Sequence, residues 1–148
     1  MAAHIVLLVG INGKCCPLSW QAGKIKRVVR STIAAEALSL QEALEDGLFL
    51  KSHIEELLGI INIPVIAYID NRSVMDAVYS TKQVDDKRLR LDLGAIRESV
   101  NRGEITAVRW CPGSAQIANC MTKRGAAGYD LLNVVQTGIL GSEFSGVT

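Results

Sequence analysis

The chain has 148 residues, of which 49% are hydrophobic and 21% charged, and its formal net charge is +1. That length allows one domain with a single substantial core, and that composition excludes a disordered chain. A near-neutral total argues neither for nor against a nucleic-acid partner, so clustering of charge matters more than its sum.

The opening run from Met1 to Gly10 is apolar but lacks the basic start and small-residue cleavage site of a secretory signal. No stretch approaches the roughly 18 apolar residues of a membrane span, so an intracellular protein is expected. Cys15, Cys16, Cys111 and Cys120 form no Cys-x-x-Cys pair, and His4 and His53 lie far apart. This spacing favours free thiols in a reducing compartment over a zinc site.

The aliphatic run Ile5 to Val9 predicts a buried strand over His4 to Ile11. Asn12-Gly13 is a strong hairpin signal, and Cys15 to Trp20 reads as the returning strand, with Pro17 marking an edge or a bulge. Lys24, Lys26, Arg27 and Arg30 then fall within seven residues with no acid between them. Such a run is either a solvated connection or a strip that contacts phosphates.

Ser31 or Thr32 is a good N-cap for a long helix reaching about Leu58, with Gly59 as its stop. Ile33, Ala37, Leu40, Leu44, Leu48, Phe49 and Leu57-Leu58, with Ile54, recur at helical spacing and predict a face laid on a sheet. Pro64 to Asp70 reads as a strand buried on both faces. Strand, long helix and strand then make a crossover unit, expected to be right-handed. Further helices are expected over Asn71 to Tyr79, Asp86 to Asn101, Ser114 to Lys123 and Gly128 to Thr137, with a short strand from Ile105 to Cys111. The tail from Gly138 onward is expected to be mobile. The prediction is therefore one α/β domain over residues 1–137, a mixed sheet with helices on its faces, followed by a tail at 138–148.

In open α/β sheets, sites form at the carboxyl ends of strands. Asp70 stands at such an end, where it or Asn71 would also serve as a simple helix cap. Glu36 lies about one turn inside the long helix, among Ala34, Ala35 and Ala37. A lone glutamate there is explained by the helix dipole alone. Taken together, the helix and the strand could aim two carboxylates at one place, suited to hard divalent cations. Metals about 4 Å apart can clamp the attacking and leaving oxygens of a phosphodiester.

Several segments resemble the ribonuclease H domains of copia-type retrotransposons. Arg30-Ser31-Thr32-Ile33-Ala34-Ala35-Glu36 is similar to that family's Ser-Thr-x-Ala-Glu segment, and Pro17-Leu18-Ser19-Trp20-Gln21 to the strand before it. Tyr68-Ile69-Asp70-Asn71-Arg72-Ser73 resembles the strand ending in Asp-Asn-x-Ser. Asp86-Lys87-Arg88-Leu89-Arg90 resembles the next block. Gln116-Ile117-Ala118-Asn119-Cys120-Met121-Thr122-Lys123 resembles the closing Ala-Asp-x-Leu-Thr-Lys motif. The segments run in order from about residue 4 to 137, each weak alone.

The resemblance implies an endonuclease that cuts the RNA strand of an RNA–DNA hybrid, with four acidic residues and two magnesium or manganese ions. It implies the reverse transcriptase region of the same Pol polyprotein as an upstream partner. Glu36 and Asp70 match two of the acids and would hold the metal. The first acid lies on a strand that has no counterpart in this sequence, and the fourth position holds Asn119, an amide without charge. The expected site is therefore degenerate, with Mg2+ or Mn2+ held weakly or not at all. Lys24, Lys26, Arg27, Arg30, Asn71 and Ser73 are the expected nucleic-acid contacts. Cleavage is expected to be impaired or abolished, leaving a non-catalytic nucleic-acid-binding or assembly module as the alternative. Without the family's first strand, the hairpin and the Asp70 strand are expected to meet across a gap or to pair anew.

Overall fold

A computed structural model describes residues 1–144. The chain opens with strands β1 (Ala2–Val9) and β2 (Cys15–Gly23), paired antiparallel from Ala2↔Gly23 to Val9↔Cys15. Their connection is wider than a two-residue turn. Gly10 N–H donates to the Lys14 carbonyl at 2.8 Å, and Asn12 and Gly13 sit between at φ 66° and 72°. These are left-handed angles that Asn and Gly accept at little cost. The register slips between Val6 and Leu7, opposite Pro17, so the proline does mark a bulge.

Ser31 caps α1 (Thr32–Leu58) by accepting from the Ala34 N–H at 3.2 Å, and Gly59 ends it at φ 64°. Ala34, Ala37, Leu40 and Leu44 form its buried face. The expected apolar stripe is shorter than predicted: Phe49, Leu57 and Leu58 are exposed.

Strand β3 (Ile66–Ile69) leads into α2 (Arg72–Tyr79) and α3 (Lys87–Asn101), and the chain returns in β4 (Ala107–Trp110), parallel to β3. The crossover within one sheet is thus β3–α2–α3–β4, not the unit through α1. The Tyr79 hydroxyl accepts from the Val108 N–H at 2.8 Å and covers the outer edge of β4. Val74, Val78, Leu89, Leu93, Ile96, Ile105 and Val108 join the buried face of α1 in one core.

The expected single mixed sheet is corrected to two separate two-stranded sheets, β1–β2 and β3–β4. β1 and β3 both line a cavity of about 460 Å3 and form no ladder with each other. Leu40, Ala43 and Leu44 of α1 line the same cavity, so the helix spans both sheets as a common floor. No strand among the described residues lies between them to join their edges.

Two further expectations change. The helix predicted over Ser114 to Lys123 is a single tight turn, Ile117–Met121, because the Gln116 side chain accepts from the Ala118 N–H and fixes a turn instead. Helix α4 (Tyr129–Thr137) follows as predicted. The segment after it is anchored rather than free through residue 144. Cys15 N–H donates to Gly138 and Leu140 N–H to Gly13, each at 2.8 Å. Phe144 is buried edge-on against Tyr68, with ring centroids 4.7 Å apart. The rest of the predicted tail, 145–148, lies outside the described residues. No helix is long and apolar enough to cross a membrane among those residues. The four cysteines are free thiols.

Arg27, in the link between β2 and α1, pairs with Asp92 of α3, whose residue exposure is only 5%. Removing the guanidinium strands a buried carboxylate. Arg27→Ala is expected to lower unfolding stability by about 2 kcal/mol, less than for a fully buried pair because Arg27 is itself partly exposed. Urea denaturation measures it, and a midpoint unchanged from the parent would show that the pair contributes nothing.

Candidate functional site

The site lies where the start of α1 meets the end of β3. Ser31 fixes the first turn of α1, which places Glu36 one turn inside the helix and leaves it solvent-exposed. Asp70 directly follows β3 and is half-buried. Its strand is locked to β4 by Ile69, whose carbonyl accepts from Cys111 N–H at 2.8 Å. The Trp110 indole donates to the Asp70 carbonyl at 3.3 Å, so the turn after β3 is held from both sides.

Asp70 acts on Glu36. The Glu36 carboxyl is held above its ordinary value of 4.5, first by partial desolvation and second by the negative charge of Asp70. Lys123 and the chain's amino terminus pull it back down. Glu36 keeps solvent contact, so water screens much of this repulsion.

Asn119 completes the cluster. Its Nδ2 donates to Asp70 Oδ2 at 3.0 Å and to the Gly113 carbonyl at 2.9 Å. Both partners are acceptors, which fixes the amide with nitrogen toward Asp70 and oxygen away. An aspartate at this position would face two acceptors with no proton to offer. Asn119 is also held from its backbone: its N–H donates to Gln116, and its carbonyl accepts from Thr122 and Lys123 N–H, each at 3.1 Å. Gln116 Nε2 donates to the Tyr68 carbonyl at 3.0 Å, tying this loop to β3.

The structure therefore brings Glu36, Asp70 and Asn119 together. It distributes the expected nucleic-acid contacts differently. Lys24, Lys26 and Arg30 are exposed on the link that leads into α1. Arg30 lies near Asp86, whose carboxyl is lowered chiefly by the Leu89 N–H it caps and in smaller part by Arg30. Arg27 is committed to Asp92. Asn71 caps α2 by accepting from the Val74 N–H at 3.1 Å, and Ser73 is exposed on the first turn of that helix. Lys123, Gly113, Gln116 and Trp110 belong to the site although sequence spacing did not single them out. For Lys123 the signal was present, since it closes the same motif as Asn119.

The donor set does not fit a pair of dications. Two carboxylates are present, and the third member turns an N–H donor toward one of them. Among the described residues, no group of three or more His, Cys, Asp or Glu side chains could share an ion. Glu36 and Asp70 could hold one hard dication through oxygen, supplemented by water. No family model, curated protein or solved structure matches the chain.

The electrostatics of Glu36 give a signed expectation. A carboxyl whose folded pKa is raised adds stability below its unfolded value, 4.5, and loses it as the pH rises through the folded value. Glu36→Gln should lack that loss. The stability difference between parent and variant, measured by urea unfolding, should therefore shift against the parent as pH climbs from about 4 to 7. A difference that stays constant over this range would show that Glu36 is unperturbed.

Proposed function

We propose that the chain is a ribonuclease H-like domain of a copia-type retrotransposon Pol polyprotein whose hydrolytic centre is incomplete as it stands. The observation that carries this reading is convergence. Glu36, Asp70 and Asn119 belong to three separate segments of the resemblance, and they meet at one end of the fold. A chance set of motif matches has no reason to bring its acidic positions together.

The substrate class is an RNA–DNA hybrid, and the upstream reverse transcriptase region is the natural neighbour. Glu36 and Asp70 would hold a single Mg2+ or Mn2+ weakly, with a substrate phosphate and waters filling the remaining sites. The ion would supply charge to a phosphodiester oxygen. Asn119 holds Asp70 in place as a neutral donor and offsets no cationic charge. Two ions bridged by two carboxylates would repel with too little anionic charge between them. Cleavage by this chain is therefore expected to be reduced by several orders of magnitude or abolished.

Incubation of the purified chain with a labelled hybrid and manganese tests the proposal. We expect no cleavage above a protein-free control. Robust cleavage that disappears in Glu36→Gln would overturn the claim of an incomplete centre. Asn119→Asp separates the causes: it should lower stability by about 1–3 kcal/mol without metal, through two lost hydrogen bonds and added like charge, and manganese should recover part of that loss. No recovery at millimolar manganese would count against a cation site here.

A second reading, a non-catalytic nucleic-acid-binding module, is favoured by the exposure of Lys24, Lys26 and Arg30 on one link beside the start of α1. Hybrid binding should weaken with salt, and Lys26→Ala should reduce the slope of log affinity against log salt by about one. Equal slopes for parent and variant would remove Lys26 from the interface.

A further inference from the structure

We infer that the chain assembles with itself, the basic link before α1 of one copy seating on an acidic and apolar ridge along the outer side of α1 of another. The contact uses two surfaces that the fold leaves exposed, and it does not rest on the proposed hydrolytic site.

The ridge is one helical stripe. Glu42, Glu45, Phe49, His53 and Glu56 fall three or four residues apart, with Leu57 four after His53, and all six are exposed. That spacing puts them on the side of α1 away from the buried Ala37, Leu40 and Leu44. A single exposed apolar residue is ordinary on a surface. Here Phe49 is 62% and Leu57 79% exposed on the same stripe, and Ile60 and Ile61 continue the patch past Gly59. Phe49 is also held in place. Its ring lies 4.4 Å from that of His53, whose Nδ1 is 2.9 Å from the Phe49 carbonyl. A side chain fixed in this way loses little freedom on docking. The charge on the ridge has one sign. Among the described residues Glu42, Glu45 and Glu56 form no ion pair, whereas Lys51 of the same helix is taken by Glu55.

The link is the complement of this ridge. Exposure alternates from Lys24 to Arg30: Lys24, Lys26, Val28 and Arg30 face solvent, and Ile25, Arg27 and Val29 are half-buried. A period of two marks an extended segment with one outward row. In that row one apolar side chain, Val28, 77% exposed, stands among three cations. Lys24, Lys26 and Arg30 form no ion pair among the described residues, and the influence of Arg30 on Asp86 is a minor one. Six extended steps from Lys24 to Arg30 cover about 20 Å. The helix from Glu42 to Glu56 covers about 21 Å. The two surfaces thus agree in length, oppose in charge and each carry apolar groups among the charges. A cation set beside Phe49 gains further from the face of its ring.

Two other pairings are disfavoured. Contact within one chain is out of reach, because the link ends at the start of α1 and Phe49 lies about 25 Å further along the helix. Ridge against ridge sets the glutamates of one copy against those of the other with no cation between them, a like-charge contact that costs affinity. Link against ridge remains. Such a contact either occurs twice in a closed two-fold pair or repeats head to tail. A contact about 20 Å long and one helix wide belongs to the small class, below about 1,200 Å2 in total, so the association is weak and sensitive to salt.

Sedimentation and light scattering of the purified full chain, without nucleic acid, test the contact. The weight-average mass should rise reversibly above that of the monomer between about 2 and 200 μM, as it does for weak interfaces of this class. Association should be at least about tenfold weaker at about 0.5 M salt than at about 0.05 M. Two variants at exposed positions separate the surfaces: Lys24→Ser with Lys26→Ser and Val28→Ser on the link, and Phe49→Ser with Leu57→Ser on the ridge. Each should stay monomeric over the same range with unchanged circular dichroism. Mixed in equal amounts, the two should associate again, since one keeps its ridge and the other its link. Should the ridge variant lose its fold, Glu42→Gln with Glu45→Gln removes charge from the same stripe and should weaken association in its place. A parent that is monomeric throughout would overturn the inference and leave the ridge to a foreign basic segment. So would a link variant that associates as well as the parent, the mark of ridge against ridge, or a mixture of the two variants that stays monomeric.

Discussion

The fold depends on the narrow apolar face of α1. Ala34, Ala37, Leu40 and Leu44 carry it, and all four are unbranched at the β carbon, two of them being small, so the helix sits close beneath both strand pairs. Burying that face is the main gain from bringing the N-terminal hairpin and the β3–β4 pair into one body, because the two sheets share no ladder. The same placement decides where Glu36 lies. It is one position away from the buried row, so it looks out at the end of β3 instead of into the core.

Around that end, hydrogen bonding has settled a problem that charge would otherwise create. Glu36 and Asp70 repel, and each would be eased by a cation. Lys123 supplies part of that relief, and Asn119 supplies neutral donors to Asp70 and Gly113. An amide is well suited to this position because it can give two N–H bonds without adding charge. The Asn119 amide is thus matched by its surroundings, with both of its N–H bonds given to acceptors.

The basic run shows how one stretch of sequence divides between two tasks. Lys24 and Lys26 extend into solvent, while Arg27 turns back to neutralise Asp92 inside the core region. Arginine suits the inward role, since its weakly hydrated guanidinium costs less to bury than a lysine ammonium. In sequence the four cations look equivalent; what separates them is the position of an acid more than sixty residues away, on α3.

What the sequence determined by itself was local. The aliphatic run of β1, the Ser31 and Gly59 boundaries of α1, the cap at Asn71, and the bulge near Pro17 all follow from side-chain shape and nearby hydrogen-bonding groups. Glu36, Asp70 and Asn119 were singled out through short motifs, and the structure places them near one another. Tertiary structure alone decided the rest. Whether β1 and β3 share a ladder depends on how the two strand pairs are set on α1, which no periodicity records. The anchoring of Leu140 and Phe144 depends on the hairpin and on Tyr68, both distant in sequence. The orientation of the Asn119 amide depends on two acceptors that meet only when the loop after β4 folds back over β3. Local chemistry fixes elements and candidate residues, whereas pairing, anchoring and donor direction come from contacts between segments far apart in the chain.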